Sequence, residues 1–264
     1  MLAIIDGDVL AYSCIKDRWK EKVKDPNVVE LDPIIGKKIV PEMDDAENLA
    51  YSKKVWPKCI ENLNTILADT FADEYLIAVK SSSNFRDDIW GDYKKHRTPS
   101  NSVKYIRQFL IEQKDAVEAY YREADDLLRI WAEEARSIGK DFIICGIDKD
   151  LKCVPGMHYH TRDRIVFEVS EVEANILFYS QLLQGDSVDG IPGVPKVGPK
   201  KAEKLLGHLT SEEDMQEAVV GEYVAYYGSK WYEYLLANGK MLYIQKHLDD
   251  WFSIKDWPIV KELT

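Results

Sequence analysis

The stretch "LAIIDGD", residues 2 to 8, sets the reading of the whole chain: a short apolar run ends on Asp6 and is followed, after one glycine, by Asp8. An uninterrupted apolar run of this length reads as a buried strand, and the acids beyond it would stand at the strand's carboxyl end. Similar runs recur as "EYLIAVK" (74–80), "VEAYY" (117–121) and "DFIICG" (141–146). Between them helical patterns are predicted over 45–70, 102–114 and 124–137. Alternation of strand and helix predicts an α/β protein with a mostly parallel central sheet flanked by helices. "MHYHT" and "RIVFEV", either side of the polar turn "RDR", read as an edge hairpin on which His158 and His160 face one side rather than bind metal. From about 171 the strand signal stops, and helices are predicted at 171–184, 199–206, 211–220 and 229–246. The expected organisation is therefore an α/β core over 1–170, with a gateway region near 85–115, and a helical region over 171–264. The charged, proline-containing segment 20–45 reads as a loop or insertion.

The chain has 264 residues, 45% of them hydrophobic, enough for a sizeable core. No stretch approaches the ~20 apolar residues of a membrane span, and "LAIID" reads as a strand rather than a signal peptide, so a cytoplasmic protein with no membrane partner is expected. Cys14, Cys59, Cys145 and Cys153 lack C-x-x-C spacing and read as packed free thiols rather than disulfides or a zinc site. A net charge of −11 argues against coating nucleic acid by bulk attraction. Positive charge nevertheless clusters at "KKHR" (94–97) and "KVGPKK" (196–201), and phosphate contacts depend on particular cations rather than on the average.

The acids fall on the map in a pattern. Asp6 and Asp8 follow the first strand, Glu123, Asp125 and Asp126 the third, and Asp148 and Asp150 the fourth. Ligands of an open parallel sheet bind outside the carboxyl ends of its strands, so these acids converge on one edge. Asp186 and Asp189, three apart, complete the cluster from the helical region. Any one group could simply cap a helix, as in "READDLL". So many carboxylates on one edge repel each other unless cations sit among them, and oxygen ligands suit Mg²⁺ or Mn²⁺.

"IIDGD", "YKKHR", "EADDLL", "ICGIDKDL" and "GDSVDGIPGVPKVGPKKAEKLL", in this order, resemble the motifs of the 5′-nuclease superfamily of flap endonucleases and 5′→3′ exonucleases over residues 2 to about 206. The resemblance implies a nuclease core of the PIN-like type with a helix-three-turn-helix, and phosphodiester hydrolysis by two divalent ions. The implied ligands are Asp6, Glu123, Asp125, Asp126, Asp148, Asp150, Asp186 and Asp189. Lys94 and Arg97 would reach the scissile phosphate, with Tyr93 and Arg86 also against DNA. Gly193 and Gly198, with Pro199 at the first helical position, look like a DNA-gripping hairpin assisted by Lys196, Lys200 and Lys201, packed through Ala202, Leu205 and Leu206. In the family this element also holds K⁺. The implied partners are DNA with 5′ ends, nicks, flaps or branches, and replication proteins; a monomer resembling the stand-alone phage or bacterial enzymes is expected.

Two departures stand out. Only 24 residues separate "KKHR" from "READD", so any arch is short, and Val79-Lys80-Ser81 stands where many relatives carry an aspartate. Asp8 could restore that charge if strand geometry continues through Gly7; otherwise it caps the following helix. The rival readings are a DNA-structure-binding protein with weakened or lost catalysis and a haloacid-dehalogenase-type phosphatase. The second leaves "EADD" and "YKKHR" unexplained.

Overall fold

A computed structural model describes residues 1–15, 30–31, 38–39, 44–89 and 101–263. Strand β1 (Leu2–Asp6) is buried along its whole length because it is sandwiched between two layers. Ala3 and Ile5 face one apolar cluster, with helix α1 (Gly7–Ile15) and residues such as Leu63 and Leu110, while Leu2 and Ile4 face another, with Leu128 and Ile144. This two-sided burial explains the uninterrupted apolar run, since side chains alternate between the faces and both faces are dry.

Strands β2 (Glu30–Leu31) and β3 (Lys38–Ile39) form a separate antiparallel pair within the segment expected to be a loop or insertion. The main sheet is completed by β4 (Glu74–Lys80), β5 (Val117–Ala119), β6 (Phe142–Gly146), β7 (Gly156–His160) and β8 (Ile165–Val169), in the order β5-β4-β1-β6-β7-β8. Only β8 runs antiparallel to its neighbour, forming the anticipated edge hairpin with β7. Strand β5 stops at Ala119; Tyr120 and Tyr121 are exposed instead of continuing it.

Helix α2 (Asp45–Thr70) begins on a capping box between Asp44 and Glu47. It packs with α1 and with α4 (Asn101–Lys114) on one face of the sheet; α5 (Ala124–Ser137) covers the other. The short helix α3 (Phe85–Ile89) was not foreseen.

Beyond β8 come α6 (Glu171–Gln184), α7 (Pro199–Leu206), α8 (Glu212–Tyr227), α9 (Trp231–Leu242) and α10 (Pro258–Leu263). A third apolar cluster, including Leu183, Leu206, Val219 and Leu235, unites them. Helix α8 outruns its expected end and stops at Gly228 (φ 55°). Helix α9 ends earlier than expected because Tyr243 turns extended, which carries Ile244 into the cluster on α5. All four cysteines are buried free thiols, as read from their spacing. Among the described residues no helix is long and apolar enough to cross a membrane.

Candidate metal and nucleic-acid site

Asp6 closes β1 and is only 7% exposed. Its Oδ1 accepts the backbone N–H groups of Asp8 (2.9 Å) and Val9 (3.3 Å), so it caps the first turn of α1 and its orientation is fixed. Burial, and then the Asp8 charge with a smaller contribution from Asp148, push its carboxyl up to about 7 against those two bonds. Past β6, Asp148 accepts the Asp150 N–H at 3.0 Å. Burial first, then Asp148, Asp186 and Asp189, push the Asp150 carboxyl up to about 6, with Lys149 opposing. Asp186 accepts the N–H groups of Val188 (2.8 Å) and Asp189 (3.2 Å) in a turn closed by its backbone bonds to Ile191. The Cys153 thiol is pushed up by burial and by Asp150, Asp125 and Asp148, which ties Asp125 to the same group. Carboxylates from β1, from the start of α5, from the turn after β6 and from the turn after α6 thus share one electrostatic environment.

Among the described residues no three His, Cys, Asp or Glu side chains are gathered closely enough to hold an ion as they stand. The donor chemistry nevertheless fits hard divalent ions: the donors are carboxylate oxygens, and their mutual repulsion is relieved by cations. A cation is already drawn in, for the Lys149 ammonium stands 3.9 Å from both Asp150 and Asp186.

Three sequence expectations are corrected. Asp126 does not face the edge. It is fully buried and forms a bidentate pair with Arg86 (2.7 and 3.0 Å), while also accepting the N–H groups of Glu123 and Gln245. Its position in the first turn of α5 points it toward the chain that follows α9, so its oxygens are consumed internally. Arg86, expected against DNA, is 2% exposed; Nε donates to the Met241 carbonyl and Nη2 to that of Tyr243. Asp8 belongs to helix, not to a continued strand, because α1 starts at Gly7. Both Asp8 oxygens are held by Arg107 (2.7 and 2.8 Å), and Oδ1 also accepts Lys80 N at 3.3 Å. The helix cap is supplied by Asp6 rather than by Asp8.

Glu123 is half-buried at the N-terminus of α5 and accepts from the Asn84 side chain at 3.2 Å. Ser81, at the position of the absent aspartate, is buried with its hydroxyl near that of Ser83. His158 is buried on the Val154 carbonyl and stacked on Phe167, and His160 pairs with Asp163. Tyr93, Lys94 and Arg97 lie outside the described residues.

The loop between α6 and α7 is built on close backbone approach. Gly193 has φ 59°, and a Cβ there would meet Gly185 N at 2.3 Å, so its glycine identity is explained by packing of the loop on the end of α6. Val194 and Val197 are buried beneath the loop, and Tyr227 donates to the Gly193 carbonyl at 2.6 Å. Gly198 is the N-cap of α7 with no side-chain cap bond, Pro199 is at the first helical position, and Ala202 and Leu206 are buried. Lys196 (φ 69°) and Lys200 are exposed; Lys201, also exposed, pairs with Glu222 at 2.6 Å.

Sequence reasoning missed Arg107, Asn84, Gln181 and Lys149. Gln181 donates to Asp150 from α6. Only Lys149 carried a local signal, its place between two acids.

No family model matches the chain. It is 30% identical over 172 residues to DNA polymerase I of Rhizobium leguminosarum, covering 59% of this chain and 17% of that enzyme. It is 34% identical over 137 residues to flap endonuclease Xni of Shewanella piezotolerans, covering 47% of this chain and 54% of the other. The chain thus spans about half or less of the length of these relatives. Among solved structures, the bacteriophage T5 5′-exonuclease with zinc ions bound superposes with a TM-score of 0.61 at 14% identity, over 91% of this chain and 88% of the other. A T5 flap endonuclease complex with DNA and metal ions gives 0.61 at 13% identity over the same shares, a likeness of fold. In sequence over part of its length, and in fold over most of it, the chain is similar to these proteins.

Proposed function

We propose that the chain is a divalent-metal-dependent nuclease that hydrolyses phosphodiester bonds of DNA near 5′ ends, nicks, flaps or branches. What supports this reading is the electrostatic influence of Asp148 on Asp6 and of Asp148, Asp186 and Asp189 on Asp150, acids that come from separate elements, with Asp125 acting on the nearby Cys153. The named relatives support it. In this reading these six residues hold Mg²⁺ or Mn²⁺, with Glu123 at the rim; Asp126 and Asp8 are left out because their oxygens are engaged elsewhere. Two bound ions would supply an activated water and charge neutralisation at the leaving oxygen.

The chain's own residues set the geometry. Helix α1 orients Asp6, the Asp150 N–H orients Asp148, and Gln181 orients Asp150. The Lys200 N–H at the start of α7, with the Lys196 and Lys200 side chains beside it, binds a phosphate of the duplex. The hairpin is assigned K⁺ through its backbone carbonyls, as the family resemblance implies. Lys94 and Arg97 are assigned to the cleavage step. We assign the nuclease core to 1–170 and duplex gripping to 171–264.

The test is incubation of end-labelled flap, nicked and single-stranded DNA with Mn²⁺ or with excess chelator. Metal-dependent cleavage is expected, and product lengths distinguish exonuclease from endonuclease action. Cleavage in excess chelator would overturn the metal assignment. Binding without cleavage would favour a DNA-structure-binding protein.

A further inference from the structure

Arg86 and Arg107 both grip an aspartate bidentately, but they differ in what is left over. Arg86 spends Nε on the Met241 carbonyl, Nη1 on Asp126, and Nη2 on Asp126 and the Tyr243 carbonyl. An arginine that only holds structure together is satisfied in this way, since buried N–H donors without acceptors are costly. Arg107 gives Nε and Nη2 to Asp8, and among the described residues Nη1 has no acceptor. Its side chain is 17% exposed, against 2% for that of Arg86.

The place of that guanidinium is specific. Asp8 lies two residues past Asp6, and its N–H is bonded to the Asp6 carboxylate. Asp8 also accepts Lys80 N, which puts the pair at the carboxyl ends of β1 and β4, where the sequence carries no aspartate in Lys80-Ser81. Arg107 itself belongs to α4, the helix that follows the segment containing Lys94 and Arg97. A guanidinium held in a fixed plane by a carboxylate offers its remaining N–H groups to an oxyanion with little loss of side-chain freedom.

We infer that Arg107, aimed by Asp8, binds a backbone phosphate of the DNA strand as it passes beside Asp6. In this role Asp8 is a positioning residue rather than a metal ligand. The inference rests on the nuclease reading and adds a substrate contact to it.

The test is affinity for a 5′-phosphorylated nicked duplex, measured by fluorescence anisotropy in EDTA across a salt series, with Mn²⁺ binding followed separately by electron paramagnetic resonance. Arg107→Gln is expected to weaken DNA binding about tenfold at low salt and to lower the slope of log affinity against log salt by about one. Arg107→Lys should keep most of the slope but recover only part of the affinity, because a point charge replaces the planar fork. Asp8→Asn should keep the slope and lose a few-fold in affinity, with Mn²⁺ affinity unchanged within about twofold. Wild-type affinity in Arg107→Gln overturns the inference. So does a loss that follows melting temperature, with Arg107→Lys restoring stability but not binding, for the pair is then only a tether. If the unsubstituted protein bound no DNA, the nuclease reading would fall with it. DNA binding indifferent to Arg107 removes this assignment alone.

Discussion

The two Arg–Asp forks lie in regions under opposite demands. At the junction of α3, α5 and the chain after α9, the Arg86–Asp126 pair is 2% and 0% exposed and further satisfied by backbone groups of Met241, Tyr243 and Gln245. At the carboxyl edge, the Arg107–Asp8 pair is 17% and 20% exposed, and among the described residues the Arg107 Nη1 has no acceptor. The same two side chains therefore serve enclosure in one place and availability in the other. Burial and the supply of backbone acceptors decide which, since removing one partner of a buried pair strands a charge, whereas water can replace a lost partner at an accessible one.

The largest expected effect tests the enclosed region. Asp126→Ala should cost about 3–5 kcal/mol in urea unfolding by leaving the Arg86 guanidinium uncompensated. Replacing both, Arg86→Met with Asp126→Leu, should recover much of that loss. A single-variant cost below about 1 kcal/mol would mean that Arg86 finds water there and that the contrast is weaker than drawn.

At the open edge the expected signature is reversed, with activity lost and fold kept. Asp148→Ala and Asp186→Ala should each reduce metal-dependent cleavage by about a hundredfold or more, equivalent to about 2.7 kcal/mol of barrier. Melting in EDTA should change little, because removing a mutually repelling carboxylate offsets the loss of the turn hydrogen bonds that it accepts. A parallel drop in melting temperature would assign these residues to the scaffold.

A smaller effect follows from proton linkage. The Asp6 and Asp150 carboxyls are raised to about 7 and about 6 in the folded protein, above the ordinary carboxylate value of 3.8. Through these two groups the folded state binds more protons than the unfolded state between roughly pH 4 and 7, so their share of the stability in EDTA should fall as pH rises through that window, against an opposite share from His158, whose imidazole is lowered by burial. Asp6→Asn or Asp150→Asn should flatten its share of the slope, and added Mg²⁺ should restore stability near neutral pH. A pH slope left unchanged by Asp6→Asn and by Asp150→Asn in the chelated protein would contradict the crowding at this edge. Smallest of all, Lys196→Ala and Lys200→Ala should each lower the salt slope of duplex binding by about one, with cleavage of bound DNA unchanged.

Local rules made most of the fold legible. The apolar run of β1 signals burial on both faces, and α6 starts at Ser170 through a capping box with Glu173. The expected convergence of the acids rested on topology, with Asp6 at the end of β1, Asp125 and Asp126 in the first turn of the helix after β5, and Asp148 in the turn after β6. What stayed hidden was the direction of individual side chains. Asp125 and Asp126 are neighbours in the same helical turn, yet one shares the edge environment and the other is claimed by Arg86 and Gln245, 40 and 119 residues away. No pattern within "EADD" distinguishes them. Arg107 was hidden for the same reason: its partner is 99 residues distant.

The enclosed fork also bears on synthesis. Arg86 and Asp126 leave the ribosome long before Met241, Tyr243 and Gln245, which supply their remaining hydrogen bonds. Until those residues emerge, the base of the helix that carries Asp125 lacks its last anchors. A nascent chain halted before that point has every acid of the edge but not the hydrogen bonds that anchor the first turn of that helix, so the order of translation leaves Asp125 on an unfinished support until residues 241–245 have emerged.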